Sequence, residues 1–184
     1  MVALQTPECQ TARIAPNFSL KGVDGKTYTR DDVMGEYGLL VMFICNHCPY
    51  VQAILDKIIR DANELLEMGI GVVAIMSNDV DNYPDDSFEN MQKLAADHAL
   101  PFPYLYDETQ EVAKSYGAVC TPDFFGFNDD MQEQYRGRLD DSGMQDNPAA
   151  QRDLFNAMAQ VAQLGKGPRV QHPSIGCSIK WKQT

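Results

Sequence analysis

Hydrophobic positions divide the chain into stretches of two different periods. Residues 38–44, GLLVMFI, are an unbroken apolar run, the pattern of a strand buried on both faces of a sheet. From residue 49 the spacing changes. Val51, Ile54, Leu55, Ile58, Ile59, Leu65 and Leu66 recur at three and four, which predicts a long amphipathic helix ending at Gly69. Residues 71–76, GVVAIM, return to a buried strand closed by Ser77, Asn78 and Asp79. Strand, helix and strand in that order predict a parallel pair joined by a right-handed crossover.

Weaker signals surround this unit. Upstream, Phe18 and Leu20, a turn at Asp24-Gly25 and the run from Thr27 to Thr29 predict a hairpin within residues 16–36. Downstream, residues 87–99 predict a helix with Ser87 as its N-cap, 104–106 a short strand, and 109–116 a short helix closed by Gly117. Residues 123–127 and 133–139 flank the turn Asn128-Asp129-Asp130 as an antiparallel hairpin. A last helix is predicted over 148–164, opening at Pro148, with Leu154, Phe155, Met158, Val161 and Ala162 on one face. The tail from 166 to 184 is rich in Gly and Pro, yet Ile175, Cys177, Ile179 and Trp181 alternate, which predicts an extended arm packed on the body. The layout is a central mixed sheet with helices on both faces.

Composition narrows the function classes. A length of 184 residues with 44% hydrophobic content suits one domain spanning 1–184 with one buried core. The formal net charge of −11 repels phosphate backbones and anionic lipid, so neither nucleic acid nor membrane is expected as a partner. MVALQTPECQ lacks a basic stretch followed by an apolar one, and no apolar run approaches the ~18 residues that span a bilayer. A cytoplasmic protein is expected. Five cysteines, an odd number, do not read as a secreted disulfide framework; reduced thiols with one reactive pair fit better.

That pair is Cys45 and Cys48, set where the first buried strand gives way to the long helix. Unpaired N–H groups and the dipole of a helix N-terminus favour an anion, and thiols so placed have pKa values lowered from about 8.5 to roughly 3.5–7.5. Two intervening residues, Asn46 and His47, let the sulfurs meet as a disulfide, and Pro49 starts the helix. One sulfur attacks a target disulfide and the other resolves the mixed intermediate. Cys45, at the mouth of the turn, is expected to attack and Cys48 to resolve. His47 can be protonated near neutrality and would steady the thiolate. A C-x-x-C is also half of a zinc site, but this chain has no second such pair, although Cys120 and Cys177 could complete one on paper. Dithiol chemistry with no metal and no cofactor is the expectation. A second constellation, VCTPDFF over 119–125, places Thr121-Pro122 just before a strand. Such a bond is either a cis peptide in a tight turn or a trans proline that starts the strand.

Together these motifs resemble the thioredoxin-fold superfamily and, within it, the peroxiredoxin-like (AhpC/TSA, redoxin) branch. APNFSLKGVDGKTYTRDDVMGEYGLLVMFIC is similar to that branch's N-terminal hairpin and first central strand, CNHCPY to the thioredoxin dithiol, Thr121-Pro122 to its cis-proline, and FFGFNDDMQEQYRGRLDD to the closing hairpin. The resemblance covers roughly residues 14–164, leaving 165–184 as a tail. It implies a thioredoxin-like three-layer α/β/α sandwich with a central mixed sheet, an N-terminal β-hairpin extension and a C-terminal extended arm. Two thioredoxin positions depart: Leu39 stands where thioredoxins carry a buried Asp, and Ile44 where they carry Trp. Cys48-Pro49 also resembles the peroxide-attacking Cys-Pro of peroxiredoxins, with Cys45 at the position of their Thr.

Three function classes follow. The first is a thiol-disulfide oxidoreductase cycling Cys45 and Cys48. The second is a thiol peroxidase in which Cys48 becomes a sulfenic acid captured by Cys45. The third is a metal-binding or non-catalytic redox-fold module. Substrates would be protein disulfides or peroxides, the electron donor a thiol of unknown identity, and a homodimer is compatible with the resemblance. Around the pair, Cys177 is read either as a late resolving thiol on the arm or as a buried structural one, and Cys120, directly before Thr121, either as an auxiliary thiol near the dithiol or as a small buried hydrophobe. Arg136 and Arg138 are read either as reaching the sulfurs or as solvated strand positions. Cys9 is expected in a floppy terminus, and His98 and His172 at structural or surface positions. Asp79, Asp81, Asp85 and Asp86 around Tyr83-Pro84 read as a solvated loop, without the Gly and terminal Glu of an EF-hand.

Overall fold

In the computed structural model, residues 2–183 are described. In chain order the elements are β1 (Ala3–Gln5), β2 (Ser19–Gly22), β3 (Thr27–Thr29), α1 (Arg30–Val33), β4 (Gly38–Phe43), α2 (Pro49–Glu67), β5 (Ile70–Met76), α3 (Phe88–Asp97), β6 (Tyr104–Tyr106), α4 (Glu111–Tyr116), β7 (Cys120–Thr121), β8 (Asp123–Asn128), β9 (Glu133–Arg136), α5 (Asp153–Leu164) and β10 (Ile175–Ser178).

The unbroken apolar runs become β4 and β5, every residue of both buried, and they pair in parallel from Gly38↔Ile70 to Phe43↔Ile75. Successive side chains of a strand point to opposite faces, so each strand feeds two cores. Leu40, Met42, Val72, Ala74 and Met76 pack under α2, α3 and α5, whereas Leu39, Val41, Phe43, Val73 and Ile75 pack with Val33 of α1 and Ala113 and Tyr116 of α4. The result is the three-layer sandwich with a mixed sheet, in strand order β3-β2-β6-β5-β4-β8-β9. The β2–β3 hairpin extends one edge and the β8–β9 hairpin closes the other.

Long helix α2 starts at Pro49 and buries Val51, Ile54, Leu55, Ile58, Ala62 and Leu65; the chain turns at Gly69, whose φ of +82° suits a residue without Cβ. Ser87 caps α3 through Asn90 N–H, and Gly117 closes α4 in the left-handed region. No helix among the described residues is long and apolar enough to cross a membrane.

Three expectations are corrected. The last helix begins at Asp153, not at 148, because residues 141–151 close on themselves: Gln151 N–H donates to Asp141 Oδ1 at 2.8 Å and Asp141 N–H to the Gln151 carbonyl at 3.3 Å. β9 ends at Arg136 rather than 139; beyond it Arg138 N–H donates to the His172 carbonyl at 2.8 Å, tying the chain to the tail. The N-terminus is not floppy. β1 pairs with β10, Ala12 N–H donates to the Glu133 carbonyl, and Cys9 is half-buried with its thiol pushed up to about 12, first by burial and then by the Glu133 charge. The tail is more than a packed arm: β10 is the middle strand of a second sheet, ordered β1-β10-β7. Its alternation buries Cys177 and Ile179 and leaves Ile175 and Trp181 exposed.

Candidate functional site

The chain leaves β4 with Ile44 N–H bonded to the Ile75 carbonyl at 3.1 Å, and bends through residues 45–48 into α2. Cys48 is the N-cap of that helix, and its carbonyl accepts the Gln52 amide at 2.9 Å. Pro49 at the first helical position needs no N–H partner. Cys45 and Cys48 are 2% and 0% exposed and lie close enough for each to bear on the other's ionisation. The Thr121-Pro122 bond is cis, and Thr121 addresses both sulfurs: its Oγ1 lies 3.5 Å from Cys45 Sγ and its carbonyl oxygen 3.1 Å from Cys48 Sγ. Cys177 Sγ is also 3.1 Å from Cys48 Sγ.

The loop read as solvated supplies a buried carboxylate instead. Asp86 is fully buried; its Oδ1 accepts the amides of Asn46 at 2.8 Å and His47 at 3.2 Å, and its Oδ2 meets His47 Nδ1 at 2.6 Å and accepts from Asn78 Nδ2 at 2.8 Å. Asn46 is pinned further by Tyr104 Oη, which donates to Asn46 Oδ1 at 3.0 Å, and by its own Nδ2, which donates to the Asp85 carbonyl at 3.1 Å. Tyr83 stacks on the His47 ring at 5.9 Å and 10°. Asp79 is buried as well, accepting from Asn82 Nδ2 and the Asp81 amide. Sequence reasoning missed Asp86 because a run of aspartates flanked by Asn, Tyr and Pro has the composition of a surface loop. The available signal was position: the segment follows Ser77-Asn78 at the carboxyl end of β5, the edge where α/β sheets build their sites.

Cys45 Sγ, His47 Nδ1 and an Asp86 oxygen lie within 4.8 Å of one another, a donor set a divalent metal accepts. Both Asp86 oxygens already carry two N–H partners each, and a cation there would have to displace them.

The two thiols ionise unequally. Cys48 is lowered to about 4: the hydrogen bond from Cys45 is the largest cause, burial opposes it, and the Thr121 and Cys177 side chains and the Val51 amide in the first turn of α2 add to it. The Thr121 carbonyl beside the same sulfur works against the anion. Cys45 keeps the shared proton and is pushed far above the ordinary thiol range by that hydrogen bond, by burial and by the Asp86 charge. The surroundings therefore favour the anion more at Cys48 than at Cys45, the sulfur to which position in the motif points. His47 Nδ1 stands 4.0 Å from Cys45 Sγ, next to the protonated partner.

The remaining candidates divide. Cys177 joins the pair. Cys120 is fully buried, donates to the Pro122 carbonyl at 3.6 Å and is raised by burial, as a small hydrophobe would be. The Arg136 guanidinium is bound to Asp123, and Arg138 Nε donates to Asp153 at 2.6 Å; among the described residues neither hydrogen-bonds to Cys45 or Cys48. Arg138 does line a cleft of about 310 Å³ with Tyr50, Ile54, Pro122, Asp140 and Ile175, beside the cis-proline. A larger cleft of about 640 Å³ contains Cys9 and Arg136 and none of the dithiol residues.

Comparison with known proteins agrees with this geometry. The AhpC/TSA family matches residues 11–138, a span that contains the hairpin, the dithiol, Asp86 and the cis-proline. Among solved structures, an uncharacterized conserved protein from Geobacillus kaustophilus is 44% identical over 100% of this chain and 98% of its own, with a TM-score of 0.94. A hypothetical protein from Sinorhizobium meliloti 1021 is 35% identical over 98% of this chain and 99% of its own, with a TM-score of 0.91. The thioredoxin domain of a thiol-disulfide oxidoreductase from Bacteroides vulgatus, at 16% identity, covers 83% of this chain and 97% of its own with a TM-score of 0.63, which speaks for the thioredoxin-like fold alone. No curated protein matches the sequence. With the family match spanning residues 11–138, well over half of the chain and including Cys45, Cys48 and the whole central sheet, the chain belongs to the AhpC/TSA family.

Proposed function

We propose that the protein is a thiol-disulfide oxidoreductase that cycles Cys45 and Cys48 between dithiol and disulfide. One observation carries the reading: two buried sulfurs lie at the start of α2 beside the Thr121-Pro122 cis peptide, with Thr121 atoms 3.5 and 3.1 Å from them. A thiolate is the attacking species in exchange, and a lowered pKa in the reduced form makes the corresponding disulfide more oxidising. Cys48 is accordingly assigned the attack and Cys45, protonated and in contact, the closing of the disulfide, the reverse of the order suggested by position in the motif. Asp86 and Asn46 hold the bend, and His47 and Thr121 line the Cys45 side. Substrates are disulfides, and a second thiol returns the electrons.

A second reading has its own support. Neither sulfur is more than 2% exposed, so a peroxide reaches Cys48 more easily than a protein disulfide does, and Cys48-Pro49 has the order of a peroxide-attacking cysteine. In that case Cys48 is oxidised to a sulfenic acid, which Cys45 condenses to the disulfide with loss of water.

The test follows insulin disulfide reduction and hydrogen peroxide consumption in the wild type, Cys45→Ser and Cys48→Ser. The oxidoreductase reading expects both variants to lose insulin turnover, with Cys48→Ser also losing the first attack. Peroxide consumption that survives Cys45→Ser but not Cys48→Ser selects the peroxidase. Full activity in both variants would remove the dithiol from the chemistry.

A further inference from the structure

The segment that leads into the cis-proline, β7, has a backbone edge beside the two sulfurs. Here that edge is taken by the chain's own tail. Cys177 pairs with Thr121 and Ser178 with Cys120, β1 covers the far side of β10, and Ser174 Oγ donates to the Pro122 carbonyl at 3.1 Å. The approach is so close that only Gly fits at position 176: a Cβ there would lie 2.1 Å from the Thr121 carbonyl oxygen and 2.9 Å from Pro122 N. This backbone contact sets the register that brings Cys177 Sγ to 3.1 Å from Cys48 Sγ. Cys48 thus touches two thiols, one on each side.

We propose that Cys177 is a third redox thiol, which takes over Cys48 from Cys45 and stores the oxidising equivalent as a Cys48–Cys177 disulfide that ties the C-terminal arm to the start of α2. The proposal rests on the dithiol reading above, whose reaction with a substrate disulfide supplies the Cys45–Cys48 disulfide. Cys177 loses its proton and its sulfur attacks Cys48 Sγ; the Cys45–Cys48 bond breaks, the Cys48–Cys177 bond forms, and the electron pair leaves on Cys45 Sγ, which takes up the proton. No electrons enter or leave, so the step needs no further oxidant. Thr121 Oγ1, 3.5 Å from Cys45 Sγ, is placed to donate to the departing sulfur.

The order of events has a physical basis. In the reduced chain the Cys177 thiol is pushed up to about 12, by burial and then by its hydrogen bond to Cys48 and the Cys48 charge, with Lys180 opposing. Once Cys48 enters a disulfide that charge is gone, and Cys177 gives up its proton more readily. The third thiol is held back until the pair is oxidised.

The test uses the full chain, reduced, exposed to oxidised glutathione, quenched in acid and mapped by mass spectrometry. In Cys45→Ser, Cys48 attacks the glutathione disulfide and Cys177 expels the glutathione. The expected product is a Cys48–Cys177 cross-link, two hydrogens lighter than the reduced chain and free of glutathione. Glutathione retained on Cys48, with Cys177 still alkylated by iodoacetamide, overturns the proposal. In the wild type, a Cys45–Cys48 cross-link that ages into Cys48–Cys177 supports it, and one that persists beside an alkylatable Cys177 overturns it. Gly176→Ala, by lifting the arm from Thr121, should slow the second step at least about tenfold through lost proximity; an unchanged rate overturns the assignment. Cys177→Ser separates the two levels. A Cys45–Cys48 cross-link in that variant leaves the dithiol reading standing if the arm fails, whereas no cross-link there or in the wild type removes both.

Discussion

One residue past the cis-proline, the molecule handles buried charge in the opposite way from the dithiol bend. Asp123, at the start of β8, is fully buried and faces Arg136, whose Nε and Nη2 donate to its two oxygens at 3.2 and 2.9 Å, while the guanidinium lies 4.4 Å from the centre of the Phe125 ring. Asp86, equally buried, has no Lys or Arg among its hydrogen-bond partners within the described residues; two backbone amides, an Asn amide and the His47 ring hold it. Arg is permanently charged, so the first site always keeps a cation beside its carboxylate. The second is held by amide dipoles and the His47 ring, with Cys45 Sγ 4.0 Å from that ring's Nδ1. A buried ion pair fixes a charge in place, whereas a hydrogen-bonded cluster leaves protons free to move. Only the second arrangement suits proton-coupled sulfur chemistry.

Removing the guanidinium should give the largest effect. Arg136→Met leaves Asp123 buried without its counter-ion, and breaking a buried pair from one side costs about 3–5 kcal/mol. Chemical denaturation of the reduced chain reads the loss directly. Native alkylation of Cys48 should proceed as before in the molecules that remain folded. A stability change under about 1 kcal/mol would mean the pair is no more than a surface bridge in energy.

The pH dependence tests the other side of the contrast. The Cys48 thiol is lower in the folded than in the unfolded chain, so its contribution to the stability of the reduced protein is fully present above the unfolded value, near 9, and is lost as pH falls toward about 4. Reduced wild type should lose its stability margin over reduced Cys48→Ser steadily across that window. Alkylation of Cys48 should stay nearly level from neutrality down and fall only on approaching pH 4. A rate that rises through pH 8 to 9 like an ordinary thiol would place the anion elsewhere.

Asp86→Asn comes next. It keeps the shape and one acceptor oxygen but puts an amide where two further donors point, including His47 Nδ1, and an unmet buried hydrogen bond costs about 1–3 kcal/mol. It also removes a negative charge that raises Cys45. The second thiol should therefore titrate at lower pH than in wild type, which thiolate absorbance in the reduced chain would show. A purely structural Asp86 would lower stability and leave that titration alone.

How much of this was legible in the sequence follows the same division. β4, α2 and β5 could be read because each is set by its own periodicity: apolar throughout for strands buried on both faces, three-and-four for the helix. Cys45 and Cys48 were legible for the same reason, since four residues at one strand-helix junction define their relation. Pro122 needed the resemblance, because a Thr-Pro before a strand is compatible with either isomer. Asp86 was harder to read: it lies 39 positions from His47, and only the place of its loop after the end of β5 pointed toward the site. The premature start of the last helix shows the limit from the other side. Pro148 is a permitted first residue, but Gln151 is already committed to Asp141, and tertiary hydrogen bonds override the local signal. The arm fell in between: its alternation was visible, but its partner β7 was not.

The smallest predicted effect concerns the two rings. Phe125 covers Arg136 inside the core, whereas Tyr83 stacks on His47 at the surface, itself 38% exposed and with Lys180 Nζ 5.8 Å from its ring centre. An aromatic pair contributes about 0.5–1.5 kcal/mol beyond the area it buries, and a half-exposed one belongs at the low end. Tyr83→Ala should therefore cost about 0.5 kcal/mol in stability, close to the resolution of a denaturation curve. Its effect on access should be easier to see. Tyr83 and the Lys180 segment of the arm both lie over the His47 side of the sulfur pair, so removing the ring should speed alkylation of the pair by a small neutral reagent and leave the pH profile of the reaction in place. Tyr83→Phe, which keeps the ring and loses only the hydroxyl, should react like the wild type. If Tyr83→Ala instead moved the pH profile, the ring would be tuning the charge of the dithiol through His47, and the contrast between a cover at the surface and a counter-ion in the core would no longer hold.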